Sequence, residues 1–202
     1  MRVLVIGKFV FQAYTLVNLM KRVTMSKDVT ILTSSNHIPL VKIFNSSDLK
    51  QQSFVISKEF NVIEEPVSDL QSLSRLLQRL ETEATQTIIR GSLTTDQANP
   101  VPRNKETFTA TPRQWCMIDI DSLAWDGDIY DQKAMLLYAI QQLPIEFQSV
   151  YFWYHFSSSM GIKVGVRVHL WFWLERPCSD HASSSIVIHP NERVSDIQSK
   201  FR

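Results

Sequence analysis

Val166-Arg167-Val168-His169-Leu170-Trp171-Phe172-Trp173-Leu174 alternates between two kinds of side chain. A period of two demands a strand, and a strand demands a sheet. Val168, Leu170, Phe172 and Leu174 mark a core face, whereas Arg167, His169, Trp171 and Trp173 mark a working surface or an interface. Trp115-Cys116-Met117-Ile118-Asp119-Ile120-Asp121 follows the same rule. Cys116, Ile118 and Ile120 point to a core, and Asp119 and Asp121 share the opposite face, with Cα atoms roughly 6–7 Å apart.

Composition narrows what such a sheet can serve. The chain has 202 residues, 44% hydrophobic and 20% charged, ordinary for a soluble globular protein of one core or two small lobes. A net charge of +1 gives no overall basic footprint, so any nucleic-acid contact must come from a local patch. Cys116 and Cys178 lie far apart, without metal-ligand spacing. A free thiol in an apolar strand fits a reducing, cytoplasmic setting. Met1–Val23 is apolar but broken by Lys8, Gln12 and Asn18, too interrupted for a membrane span. Residues 1–24 read as an N-terminal extension, with Met25 as the natural start.

Residues 25–91 form an N-terminal α/β part. Strands are expected at Val29–Thr33 and Leu40–Phe44, with Ser53–Ser57 able to pair with either. Leu70, Leu73, Leu76, Leu77 and Leu80 make a helical stripe with Ser68 as its N-cap. Thr87–Arg90 is a short strand ended by Gly91. Residues 92–114, rich in Pro, Thr and Asn, read as a basic loop or linker carrying Arg103, Lys105 and Arg113. Residues 115–180 hold the sheet: a strand to Ile120, a helix over Asp131–Leu143, an aromatic strand over Val150–Phe156 and a long strand over Val164–Leu174. That order is a split β-α-β unit. Residues 181–202 read as an irregular tail. The fold class is α+β, a two-lobed domain around a mostly antiparallel sheet with helices on one face.

Two carboxylates on one strand face repel each other. A divalent cation removes the repulsion, and Mg²⁺ and Mn²⁺ favour such oxygen ligands together with substrate phosphates. Asp119 and Asp121 are therefore candidate metal ligands; a strand-end cap is the plainer alternative. Asp126 and Asp128 repeat the spacing around Gly127 and read as turn chemistry. Arg167 offers a fixed fork of donors for phosphate and His169 a tunable one. Ser157-Ser158-Ser159-Met160-Gly161 supplies hydroxyls and a tight turn. Trp171 and Trp173 either stack on a base or pack under a helix.

Asp-x-Asp, a serine turn, then His169-Leu170-Trp171-Phe172-Trp173-Leu174-Glu175-Arg176-Pro177 resembles the archaeo-eukaryotic primase (primase-polymerase) superfamily, nearest to primase-like replication proteins of bacterial plasmids, phages and integrative elements. Ile88-Ile89-Arg90-Gly91, Arg103 and Trp115–Asp121 agree in order, and the likeness spans Val29 to Pro177. The resemblance implies a two-lobed catalytic core with an RRM-like sheet and flanking helices. It implies Asp119 and Asp121 as catalytic ligands of Mg²⁺ or Mn²⁺, and His169 with Ser158 or Ser159 on the incoming nucleotide; the reading of the strand itself adds Arg167. Arg90, Arg103, Lys105 and Arg113 become candidate nucleic-acid contacts. The implied reaction is primer synthesis from nucleoside triphosphates on single-stranded DNA, with a replicative helicase as partner and no membrane.

Two departures stand out. Arg167 occupies the place where many members carry serine, and no third acidic ligand is evident after Cys178-Ser179-Asp180; Asp196 has no matching surroundings. A truncated primase is therefore expected, with a non-catalytic nucleotide- or single-stranded-DNA-binding remnant as the alternative. A single-strand-nicking nuclease needs paired histidines near a nucleophilic tyrosine, and His155 and His169 read as too separated for that pair.

Overall fold

The computed structural model describes residues 28–51, 56–94, 99–178 and the backbone of 186–188. The expected extension over 1–24, most of Ser53–Ser57, Asp180, Asp196 and the tail apart from 186–188 lie outside the described residues. In chain order the elements are β1 (Asp28–Ser34), β2 (Glu59–Pro66), α1 (Leu70–Leu80), β3 (Gln86–Ile89), β4 (Ser92–Leu93), β5 (Val101–Pro102), β6 (Phe108–Thr109), β7 (Arg113–Leu123), α2 (Gln132–Gln141), α3 (Ile145–Gln148), β8 (Phe152–Phe156), β9 (Val166–Cys178) and β10 (Ile186–Ile188). The fold is α+β with few helices and mostly antiparallel sheets.

The main sheet has the order β10-β7-β9-β8, and only β10 runs parallel to its neighbour. Its first face carries Cys116, Ile118, Ile120, Val168, Leu170 and Phe172, the side chains that alternation assigns to a core. Met135, Leu136, Ala139 and Ile140 of α2 close over them. Asp131 starts that helix by accepting a hydrogen bond from the Ala134 N–H at 2.9 Å. On the second face Trp115 and Trp171 pack against Val29 and Ile31 of β1 and Leu73, Leu76 and Leu77 of α1. Helices thus cover both faces of the main sheet, not one as expected. Each such apolar side chain, fully buried, contributes roughly 1.5–3 kcal/mol.

The second sheet, β3-β1-β2-β5, stacks its own cluster of Leu32, Phe60, Val62 and Val101. The antiparallel partner of β1 is β2, and not Leu40–Phe44, which is irregular apart from an isolated bridge between Phe44 and Gln51. Ser57 also lies outside any strand. Phe60 and Val62 of β2 face inward while Glu59, Asn61 and Ile63 face out. The cap of α1 is Asp69 rather than Ser68: its carboxylate accepts from the Ser72 N–H at 2.6 Å, and Ser72 Oγ accepts from the Asp69 N–H at 3.1 Å. Residues 92–114 are not a free linker. β5 pairs with β2, β4 pairs with β6, and the Asn99 side chain bonds both main-chain groups of Val62.

Candidate functional site

Register places the polar residues of the second face. β7 and β9 set Asp119 opposite His169, and β8 on the other side of β9 sets His155 opposite the same His169. Asp119, His169 and His155 therefore form one row across three strands. His169 Nε2 lies 3.2 Å from Asp119 Oδ1, and His169 Nδ1 lies 2.7 Å from His155 Nε2. The expectation that the two histidines are too separated to pair is thus overturned. They meet because β8 and β9 form a hairpin, in which equal steps back from the turn bring His155 and His169 together. Tyr154, next to His155, faces the α2 side, where it packs on the core.

Asp121 and Arg167 follow one alternation step further toward the strand end. The Arg167 guanidinium donates to Asp121 Oδ1 and to Ser122 Oγ. The pairing of β7 with β9 is irregular between Ile120 and Leu123, and Ser122 adopts a φ of 67°. Gly165 faces this irregularity with a φ of 85°; a Cβ there would lie 2.7 Å from the Leu123 carbonyl oxygen. Only glycine suits that close approach. A β-bulge redirects side chains at a strand end, and here it brings Ser122 under the same guanidinium as Asp121.

Asp119 and Asp121 keep 32% and 45% of their side-chain surface, against 11% for Arg167. Ligands can therefore reach the carboxylates, while the guanidinium is held from below. His155 is more enclosed. Burial, aided by the neighbouring His169 and opposed by Asp119, pushes its pKa down to about 4, so its ring is neutral at pH 7. Its Nδ1 is buried with no hydrogen-bond partner among the described residues.

The serine turn is split in function. Ser159 is buried; its hydroxyl lies 3.1 Å from that of Ser157, and its carbonyl accepts from the N–H groups of Ile162 and Lys163. It builds the turn, and Ser158 is the exposed hydroxyl. Ser157 N–H donates to the Arg167 carbonyl at 2.9 Å, which fixes the turn beside the polar rows.

Two of the four expected nucleic-acid contacts are structural. Arg113 is wholly buried and donates to the carbonyls of Arg90 and Asp28, each at 2.8 Å, to Thr30 Oγ1 and to Ser92 Oγ. Arg90 donates to the carbonyls of Trp115 and Cys178 and lies 5.2 Å from the centre of the Trp115 ring. These guanidiniums tie the two sheets together by satisfying main-chain oxygens, so Arg113 cannot meet a ligand and Arg90 is committed. Arg103 and Lys105 are exposed between β5 and β6. Arg103 lines a cavity of about 160 Å³ with Leu40, Phe60 and Thr87, away from the polar rows.

Among the described residues no three His, Cys, Asp or Glu side chains are grouped to hold a metal ion. Two hard carboxylates on one face nevertheless match how Mg²⁺ and Mn²⁺ bind, through one or two carboxylates completed by substrate phosphates. Asp121 already draws a cation, the Arg167 guanidinium. Among the described residues no helix is long and apolar enough to cross a membrane. No protein-family model, curated protein or solved structure matches this chain.

Proposed function

We propose that the polar rows of β7, β8 and β9 are the nucleotide site of a primase-polymerase-like nucleotidyltransferase, acting on single-stranded DNA in the replication of a plasmid, phage or integrative element. One observation carries the reading. The carboxylate pair and the Arg–His pair, separate in sequence, occupy successive positions of one sheet face, with Asp119 beside His169 and Asp121 beside Arg167. Metal ligands and phosphate donors must be this close for phosphoryl chemistry, which consists mostly of positioning and charge neutralisation.

Asp119 and Asp121 would hold Mg²⁺ or Mn²⁺, which when bound activates a 3′-hydroxyl and stabilises the leaving pyrophosphate. Arg167 exchanges Asp121 for the triphosphate oxygens, which suit its planar fork. His169 donates a hydrogen bond to phosphate, and Ser158 adds a hydroxyl at the turn. Arg103 and Lys105, both exposed, would meet the template backbone beyond the nucleotide site. In this reading the chain is the two-lobed core of such an enzyme, works in the cytoplasm and hands its primers to replication alongside a helicase.

A second reading, nucleotide or single-stranded-DNA binding without catalysis, rests on a specific contact. Arg167 neutralises Asp121 directly, and among the described residues no third acidic group joins the pair. A primer-synthesis assay on single-stranded DNA with Mn²⁺ and labelled nucleotides separates the two. The enzyme reading expects incorporation by the wild type and none by the Asp119→Ala/Asp121→Ala double variant. Persistence in the double variant refutes the metal assignment, and binding without incorporation by the wild type selects the second reading.

A further inference from the structure

We infer that His155 is a positioning residue that fixes the tautomer of His169, so that His169 presents an N–H, not a lone pair, on the side of the metal-binding carboxylates. The part of this inference that concerns nucleotide rests on the reading above; the tautomer does not.

A neutral imidazole carries one N–H and one lone pair, and the partner of one nitrogen decides the state of the other. His169 has a partner on each side: His155 Nε2 at 2.7 Å from its Nδ1, and Asp119 Oδ1 at 3.2 Å from its Nε2. A carboxylate only accepts, so His169 Nε2 must carry hydrogen. The 2.7 Å contact places one proton between His169 Nδ1 and His155 Nε2, and neutral His155 holds its N–H either on Nε2, where it donates, or on Nδ1. Donation from Nε2 leaves a lone pair on His155 Nδ1, the nitrogen that is buried with no partner among the described residues. A buried N–H lacking a partner is the rarer and costlier state, so the lone pair belongs there. The depressed basicity of His155 agrees with this single-proton form.

The packing holds the donor in place. The His155 ring lies 5.3 Å from that of Trp153 and nearly parallel to Trp171 at 6.5 Å, and meets His169 edge-on at 4.6 Å. His155 thus belongs to the aromatic half of the sheet face by contact and to the polar half by hydrogen bonding. Such outer partners commonly orient a histidine that meets a charged ligand. The consequence here is a His169 whose Nε2–H passes from Asp119 to a phosphate oxygen. With the other tautomer, His169 Nε2 would turn a lone pair toward Asp119 and toward any incoming phosphate.

The test is ¹⁵N NMR of the imidazole nitrogens at pH 8, with nucleotide titrations alongside. In the wild type both rings are expected as the Nε2–H tautomer. His155→Phe keeps a ring of similar size and removes the donor; His169 should then lose its single tautomer, and affinity for a nucleoside triphosphate with Mn²⁺ should fall roughly ten- to a hundredfold, the worth of one hydrogen bond to a charged group. His155→Gln, whose amide reaches about as far as Nε2, should restore both. His155→Asn, too short, should not, and it serves if the Phe variant fails to fold. An Nδ1–H or doubly protonated His169 in the wild type overturns the inference, as does an unchanged His169 spectrum in the Phe or Asn variant, which would leave Asp119 alone as the cause. Expected spectra with no triphosphate bound by the wild type would uphold the tautomer assignment and sink the nucleotide reading instead.

Discussion

The tryptophans and the charged residues of the main sheet occupy the same face, yet only one half of that face is closed. Trp115 and Trp171 are buried beneath α1 and β1, whereas Asp121, Asp119 and His169 keep 45%, 32% and 28% of their side-chain surface. Alternation assigns a residue to a face, but what covers the face is decided elsewhere in the chain. Here the cover ends between the Trp171 row and the His169 row. The aromatic half holds the molecule together, and the polar half is left open to solvent.

The sharpest way to break this contrast is mutation in the closed half. Trp171→Ala should cost about 3–5 kcal/mol, the usual toll of emptying a buried aromatic site, read from urea unfolding. Arg113→Ala should match it at about 3–5 kcal/mol, since it strands carbonyls and hydroxyls that one buried guanidinium satisfies. Arg167→Met in the open half should cost only about 1 kcal/mol or less, because Asp121 remains solvated, while weakening triphosphate binding at least tenfold. Equal destabilisation by Arg167→Met and Trp171→Ala would erase the distinction between the halves.

Acid probes the boundary between them. His155 has a pKa of about 4 in the fold against an ordinary 6.5, so the unfolded chain takes up the proton first as pH falls. Its contribution is whole above pH 6.5 and is lost between there and pH 4, in total about 3 kcal/mol. Urea midpoints measured across that range should fall for the wild type and fall less for His155→Gln. The smallest effect lies at the periphery. Arg103→Ala should change stability by no more than about 0.5 kcal/mol but lower the salt slope of single-stranded-DNA binding by about 1.

Much of this was legible in the sequence, and the reasons for the rest are physical. β7, β9 and the leucine stripe of α1 follow from period alone, because one side of each is buried. β2 hid because its outer face carries Glu59 and Glu65 and its pairing depends on a distant β1. Arg113 read as a surface base, since nothing local announces that the carbonyls of Asp28 and Arg90 converge on it. His155 reads as remote from His169 when sequence distance stands in for register, whereas counting back from the hairpin turn pairs the two. Ser159 looked like Ser158 until the turn buried one and exposed the other. Side-chain periodicity is local and readable, whereas cover, convergence and register are tertiary.

The central claim is that the open half of the sheet face binds nucleotide through its carboxylates. Calorimetry tests it most directly: a nucleoside triphosphate titrated with and without Mn²⁺ into the wild type and Asp119→Ala. The account predicts binding by the wild type that requires Mn²⁺ and disappears in Asp119→Ala. Absence of binding to the wild type, or equal binding by both proteins, would contradict it.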